Sequence, residues 1–103
     1  MKYYCIGIKG AGMSTLANIL SDLGNDVSGY DDTVKYKFTE EGLDKRGIKI
    51  YHEPHPIDSD TIVTYSKAFS IDHPEIKRVR ELGLTMRDYN QVVGDVTAMF
   101  ETI

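Results

Sequence analysis

The sequence is poor in the residues that mark several classes of protein. Its 103 residues include one cysteine, three prolines and no tryptophan. A single thiol cannot form an internal disulfide, so the sequence is not typical of a disulfide-stabilised secreted domain, and we expect a reducing compartment. No apolar run approaches the roughly 18 residues that a membrane-spanning helix needs, and the N-terminus has no signal-peptide pattern. We therefore expect a cytoplasmic protein with no membrane partner.

The sequence has no excess of positive charge. Lys and Arg total 12 against 16 Asp and Glu, for a formal net charge of −4, and the basic residues are scattered along the chain. Nucleic-acid-binding domains usually concentrate basic residues on one surface, so we expect no nucleic-acid partner. An anionic ligand would have to be held by a local site instead of a broad positive field.

The hydrophobic residues, 41% of the chain, are arranged in alternating strand-like and helix-like segments. Such alternation is typical of a parallel sheet covered by helices. We predict a single domain over residues 1–103 with a Rossmann-like, doubly wound five-stranded sheet in the order 3-2-1-4-5. A ligand crevice is expected at the carboxyl end of the first strand, where that order reverses. The predicted strands span residues 3–8, 27–30, 48–51, 61–65 and 84–86, and the predicted helices span residues 13–23, 39–45, 75–82 and 90–101.

A glycine-rich turn follows the first predicted strand, with glycines at positions 7, 10 and 12. Glycine allows a sharp turn and a close approach of backbone to ligand. The helix that begins beside Gly12 presents unpaired N–H groups and a positive dipole end to the same space. Ser14 and Thr15 add hydroxyl donors in the first turn. The turn therefore predicts a diphosphate site.

The glycine spacing is G-x-x-G-x-G, which differs from the dinucleotide fingerprint G-x-G-x-x-G. Lys9 stands where that fingerprint has its second glycine; it adds a positive charge and hinders the close pyrophosphate approach used by NAD enzymes. Asp31 follows Gly12 by 19 residues, near the position expected for an acid that accepts from a ribose hydroxyl. Lys9 and the shifted spacing favour UDP over NAD(P). Asp31 does not discriminate, because it suits the ribose of either nucleotide. An NAD(P)-binding regulatory or oxidoreductase module therefore stays open as an alternative.

Four other candidate residues are expected to have no ligand-binding or catalytic role. His52 and His55 form an H-x-x-H pair, but a closed metal site needs about four ligands, so we expect no metal. Cys5 lies in the middle of an apolar strand, where a thiol is usually inert. His73 precedes Pro74 and is predicted to be a helix cap or a surface residue.

Two strings in the sequence resemble the start of the Mur ligases, ATP-dependent enzymes of peptidoglycan (cell wall) synthesis. They are Y-C-I-G-I-K-G-A-G-M-S at 4–14 and V-S-G-Y-D at 27–31. Y-S-K-A at 65–68 and D-H-P-E at 72–75 resemble the family's segment after its fourth strand, and Arg87 resembles the arginine that follows its fifth. The resemblance covers essentially the whole chain.

The resemblance implies the first of three domains, the one that binds the UDP part of UDP-N-acetylmuramate. In that family the second domain binds ATP and Mg²⁺ through a phosphate loop ending in Gly-Lys-Thr, and the third closes over the site. No G-x-x-x-x-G-K-[ST] string occurs in this chain. We therefore expect the ATP-binding and C-terminal domains to be absent, no cofactor or catalytic residue in this domain, and no ligation by this chain alone.

The resemblance also implies a role for each matching position. The diphosphate would be held by Lys9, Gly10, Ala11, Gly12, Met13 and Ser14, the uridine would face Asp31 and Asp32, and the other wall of the crevice would be formed by Ser66 and Lys67. Tyr30 stands where the family usually has a small residue. The string K-G-A-G-M-S at 9–14 favours the L-alanine-adding member of the family over the related ligase that recycles murein tripeptide.

Overall fold

The structure is a computed structural model. It describes residues 1–35, 38–53, 56–66, 69–70 and 72–101, and the side chains of these residues up to residue 98. Within these residues strands and helices alternate, except that β4 follows β3 with no helix described between them. The elements are β1 (Lys2–Ile6), α1 (Ala11–Asp22), β2 (Asp26–Tyr30), α2 (Glu40–Lys45), β3 (Lys49–Tyr51), β4 (Thr61–Tyr65), α3 (Pro74–Glu81), β5 (Thr85–Asp88) and α4 (Tyr89–Glu101).

The five strands form one sheet in the order β3-β2-β1-β4-β5, and every neighbouring pair is parallel. This confirms the predicted architecture and strand order. Ile6, the last residue of the central strand, pairs with Tyr30 on one side and Tyr65 on the other. The carboxyl ends of β1, β2 and β4 therefore meet at one edge of the sheet, at the point where ligands bind in open α/β folds.

The core lies on both faces of the sheet because side chains alternate along each strand. Tyr3 and Cys5 of β1 join the core under α1 and α4, whereas Tyr4 and Ile6 join the core under α3. In α1, buried residues recur at the spacing of one helix face: Met13, Leu16, Ala17 and Leu20. This is the periodicity that the sequence shows.

Most element boundaries differ from the sequence prediction by one or two residues, and the differences in β1 and β5 have a clear physical cause. β1 ends at Ile6, two residues early, because Gly7 takes a φ of +86° and turns the chain out of the sheet. The amides of Gly7 and Ile8 then both donate to the carbonyl of Tyr30, at 2.7 and 3.2 Å. Arg87 lies inside β5 instead of after it, and it forms a bidentate ion pair with Asp95 of α4, with both distances 2.8 Å.

The segment D-H-P-E at 72–75 connects α3 to the sheet. Nδ1 of His73 accepts from the amide of Glu75 at 3.1 Å, which confirms the predicted helix cap, and Pro74 occupies the first turn. Glu75 is 3% exposed, and its carboxylate accepts from the hydroxyl of Tyr4 at 2.6 Å and from Arg78. A buried carboxylate needs such partners, so these contacts fix the start of α3 against β1.

Candidate functional site

A cleft of about 230 Å³ opens at the carboxyl end of β1, between the start of α1 and the segment that follows β4. It is lined by Gly7, Gly10, Ala11, Gly12, Met13, Ser66 and Tyr89. Five of these seven residues are among those assigned to the diphosphate or to the opposite wall. The glycine turn and the sheet topology therefore bring five of the predicted site residues together in one cleft.

The start of α1 offers unpaired hydrogen-bond donors to this cleft. Gly10 is the N-cap, with φ −65° and ψ 148°, and no side chain caps the helix. Among the described residues, the amides of Ala11, Gly12 and Met13 have no hydrogen-bond acceptor. The first amide of α1 that has an acceptor is that of Ser14, which donates to the carbonyl of Gly10 at 2.8 Å. The first turn contains no acidic residue. Free amides and the positive end of the helix dipole together favour an anion.

The glycines of the turn serve different purposes. Gly7 has a positive φ that other residues rarely adopt. A Cβ on Gly10 would contact only the carbonyl oxygen of Gly7, at 3.3 Å, so the space beside Gly10 is open to a ligand. A Cβ on Gly12 would instead lie 3.0 Å from the hydroxyl oxygen of Tyr89. Gly12 therefore makes room for a tyrosine of the protein itself.

Tyr89 is a cleft residue that the sequence analysis did not identify. It is the first residue of α4 and directly follows β5, so the topology brings it to the same edge of the sheet as Gly12. The one signal in the sequence is its position just after a predicted strand. No local pattern distinguishes it from the other six tyrosines, most of which pack in strands.

Lys9 does not supply positive charge to the cleft, which corrects the expectation from the sequence. Its side chain is 1% exposed, and its Nζ lies 3.2 Å from a carboxylate oxygen of Glu40 and donates to the carbonyl of Lys35 at 3.1 Å. A buried ammonium is stable only when it is paired. The charge of Lys9 is therefore balanced by Glu40, at the start of α2, and Lys9 does not line the cleft.

Asp31 is buried and shapes the loop after β2. One of its carboxylate oxygens accepts from the amide of Lys9 at 3.0 Å, and the other accepts from the amide of Thr33 at 2.9 Å. Asp31 is only 6% exposed, so it is not a solvated turn residue. Contact between Asp31 and a ribose stays a prediction. The contacts seen in the structure tie the glycine turn to the segment after β2.

Asp32 connects two segments across the end of β1. Its carboxylate accepts from the hydroxyl of Tyr30 at 2.8 Å and lies 2.8 Å from Nε2 of His73. Since Nδ1 of His73 is an acceptor, Nε2 carries the proton and donates to Asp32. Burial alone would raise the pKa of Asp32, but the bonds from Tyr30 and His73 lower it below its ordinary value. Burial raises the pKa of the Tyr30 hydroxyl to about 12, and the hydrogen bond to Asp32 is the second largest cause of this rise.

Two hydroxyl groups expected near the diphosphate, those of Ser14 and Thr15, belong to residues that do not line the cleft. The hydroxyl of Ser14 donates to the carbonyl of Ala11 at 3.0 Å, and Ser14 is 4% exposed. The hydroxyl of Thr15 donates to the same carbonyl, at 2.9 Å. Both hydroxyls are therefore engaged within the helix. Lys67, assigned to the opposite wall, lies outside the described residues.

The candidate metal pair is not assembled into a site by the described residues. Nδ1 of His52 lies 2.9 Å from the carbonyl oxygen of Asp31, and His55 lies outside the described residues. Within the described part of the chain, no group of three or more His, Cys, Asp or Glu side chains is placed to hold a metal ion. No helix in that part of the chain is long and apolar enough to cross a membrane.

Cys5 is fully buried in β1, and burial raises the pKa of its thiol to about 12. We expect the thiol to react with a soluble disulfide reagent at pH 8 about 100-fold more slowly in the native protein than in urea, because reaction requires opening of the central strand. The measurement is the rate of release of the coloured thiolate, with the urea-unfolded protein as the control. Rapid stoichiometric labelling in native buffer would contradict this prediction.

Comparisons with known proteins agree with this fold. The family model described as "Mur ligase family, catalytic domain" matches residues 2–101. The UDP-N-acetylmuramate–L-alanine ligase of Lacticaseibacillus casei (strain BL23) is 45% identical over 102 residues, which cover 98% of this chain and 23% of that protein. The ligase of the same name from Lactiplantibacillus plantarum is 42% identical over 106 residues. The chain spans about a quarter of the length of these curated relatives.

Solved structures give the same result. The UDP-N-acetylmuramate–alanine ligase of Thermotoga maritima superposes with a TM-score of 0.78 at 30% identity, over 96% of this chain and 23% of that one. A murein peptide ligase from Psychrobacter arcticus superposes with a TM-score of 0.80 at 23% identity, over 92% of this chain and 20% of that one, and this shows the fold alone. With its sequence matched by the family model over residues 2–101 and its fold shared with these enzymes, the chain belongs to the Mur ligase family.

Proposed function

We propose that this chain binds the UDP part of UDP-N-acetylmuramate, as the substrate-binding domain of an ATP-dependent ligase that adds L-alanine in cytoplasmic peptidoglycan synthesis. The observation that carries this proposal is the cleft at the start of α1, where the amides of Ala11, Gly12 and Met13 have no acceptor among the described residues. The names of the relatives at 42% and 45% identity support the choice of substrate.

The binding mode follows from the donors and the charge around the cleft. The three amides donate to the oxygens of a diphosphate, and the helix dipole stabilises its negative charge. Lys9 is neutralised by Glu40, so the amides, and not a lysine, provide the attraction. Ser66 forms the facing wall. The side chain of Asp32 is 55% exposed, and we assign the nucleoside to its side of the cleft.

The described residues do not offer a site that fits Mg²⁺-bound ATP. The described residues contain no group of three or more potential metal ligands, and the sequence contains no G-x-x-x-x-G-K-[ST] phosphate loop. We therefore propose that phosphoryl transfer takes place on further domains of the ligase, and that this chain binds substrate but does not ligate by itself.

The proposal is tested by calorimetric titration of this chain with UDP-N-acetylmuramate, UDP and NAD in parallel. We expect both uridine nucleotides to bind and NAD not to bind. Binding of NAD without binding of UDP would favour the dinucleotide-binding alternative and overturn the proposal. If none of the three ligands binds, the proposal that this chain alone forms the nucleotide site is wrong.

A Gly10→Val variant tests where the diphosphate lies. Gly10 has a φ of −65°, which valine tolerates, and a Cβ there meets only the carbonyl of Gly7, at 3.3 Å. We expect a folded protein whose UDP affinity falls at least about tenfold, because the branched side chain occupies the space that the phosphates need. Calorimetry gives the affinity, and circular dichroism checks the fold.

The matched control is Gly94→Val. Gly94 is an exposed helical glycine, and a Cβ there has no neighbour within 4 Å. This variant should bind UDP like the wild type. Unchanged UDP affinity in a folded Gly10→Val protein would place the diphosphate elsewhere.

A further inference from the structure

Tyr89 has a half-buried ring and a hydroxyl group at the start of α1. The ring packs against the core under α1 and α4. A Cβ added to Gly12 would lie 3.0 Å from the hydroxyl oxygen of Tyr89, 3.3 Å from its Cζ and 3.5 Å from its Cε1. The hydroxyl end of the ring is therefore the part closest to the first turn of α1. Packing of the ring fixes this orientation before any ligand binds.

The hydroxyl of Tyr89 makes no hydrogen bond to any described residue, although it lines the cleft. Other tyrosine hydroxyls in the protein are paired: those of Tyr4 and Tyr30 donate to carboxylates at 2.6 and 2.8 Å. A phenol group held by its ring usually has a polar partner for its hydroxyl. At this position the neighbouring groups of α1 are amide donors, so a ligand with acceptor oxygens suits both.

We propose that the hydroxyl of Tyr89 donates a hydrogen bond to a phosphate oxygen of the nucleotide diphosphate that is bound on the amides of α1. This inference rests on the proposed function and adds a binding residue from the far end of the fold. A phosphate oxygen is an acceptor with negative charge, and O–H donors bond such oxygens more strongly than they bond neutral ones. The absence of a side chain on Gly12 is what allows the hydroxyl to approach this position.

The test is a Tyr89→Phe variant titrated with UDP and, separately, with uridine, which has no phosphate. We expect the affinity for UDP to fall about tenfold and the affinity for uridine, measured by NMR shifts, to stay the same. The midpoint of urea unfolding should not change, because the ring and its packing remain. A loss confined to the phosphorylated ligand is a result that a purely structural role for the ring would not produce.

The matched control is Tyr3→Phe, which removes a phenol hydroxyl near the amino end of β1, at the opposite edge of the sheet. Its UDP affinity should equal that of the wild type. Equal losses for UDP and uridine in Tyr89→Phe, or no loss for either, would overturn this inference alone. Failure of the wild-type chain to bind UDP would overturn the proposed function and this inference together.

Discussion

Replacing Gly29 with alanine is expected to lower the free energy of unfolding by about 3 kcal/mol or more. Gly29 lies in β2 and pairs with Cys5 of the central strand. A Cβ on Gly29 would lie 2.6 Å from the carbonyl oxygen of Cys5 and 2.7 Å from Cβ of Ile8. The first of these is backbone in the middle of the sheet and the second is a fully buried side chain, so neither can move without breaking strand pairing or core packing.

Urea unfolding followed by circular dichroism measures this effect, with an unchanged m-value showing that the transition is the same. The matched control is Gly94→Ala, in the interior of α4, where a Cβ has no neighbour within 4 Å. That variant should be more stable by about 0.5–1 kcal/mol, because alanine is the better helix former. If Gly29→Ala unfolds at the same urea concentration as the wild type, the close approach of β2 to the residues of the turn is wrong.

Replacing Lys9 with methionine is expected to cost about 3 kcal/mol of stability. The side chains of Lys9 and Glu40 are 1% and 11% exposed, and their charged atoms lie 3.2 Å apart. Methionine keeps the length and apolar stem of lysine but removes the charge that balances Glu40. The carbonyl of Lys35 also loses its donor. Removing one member of a buried pair is costly because the other charge stays in a poorly solvated place.

The matched control is Lys45→Met, which removes a lysine from an exposed pair with Glu41 whose side chains are 71% and 70% exposed. Such pairs contribute little, so we expect a change within about 0.5 kcal/mol. In the double variant Lys9→Met with Glu40→Met, much of the loss should be recovered, since an apolar pair replaces two buried charges. A Lys9→Met variant as stable as Lys45→Met would contradict the buried pair.

The fold could be predicted from the sequence because its signals are local. The buried face of α1 is visible as apolar residues at helical spacing, and Gly24, with a φ of +93°, ends that helix. The alternation of strands and helices predicts a parallel doubly wound sheet, because connections between sequential parallel strands are short and right-handed and leave few possible strand orders. The two-residue error at the end of β1 arose because Ile8 continues an apolar run, although its chain has already turned at Gly7.

The candidate site could be predicted only where its donors are backbone groups. The amides of Ala11, Gly12 and Met13 belong to the start of α1, and these residues line the cleft, so the glycine turn and the helix that begins beside it locate them. The directions of side chains were not accessible in this way. Lys9 was expected near the diphosphate and instead pairs with Glu40, and the hydroxyl of Ser14 bonds within its own helix.

By itself the sequence determined the doubly wound sheet, the position of the glycine turn at its central strand and the family to which the chain belongs. Only the tertiary structure decided that Lys9 points to Glu40, that Asp31 binds the backbone of the turn, and that Tyr89 completes the cleft. The physical reason is that strand and helix patterns depend on near neighbours, whereas the partner of a buried charge or hydroxyl is whichever group the fold brings within hydrogen-bonding distance.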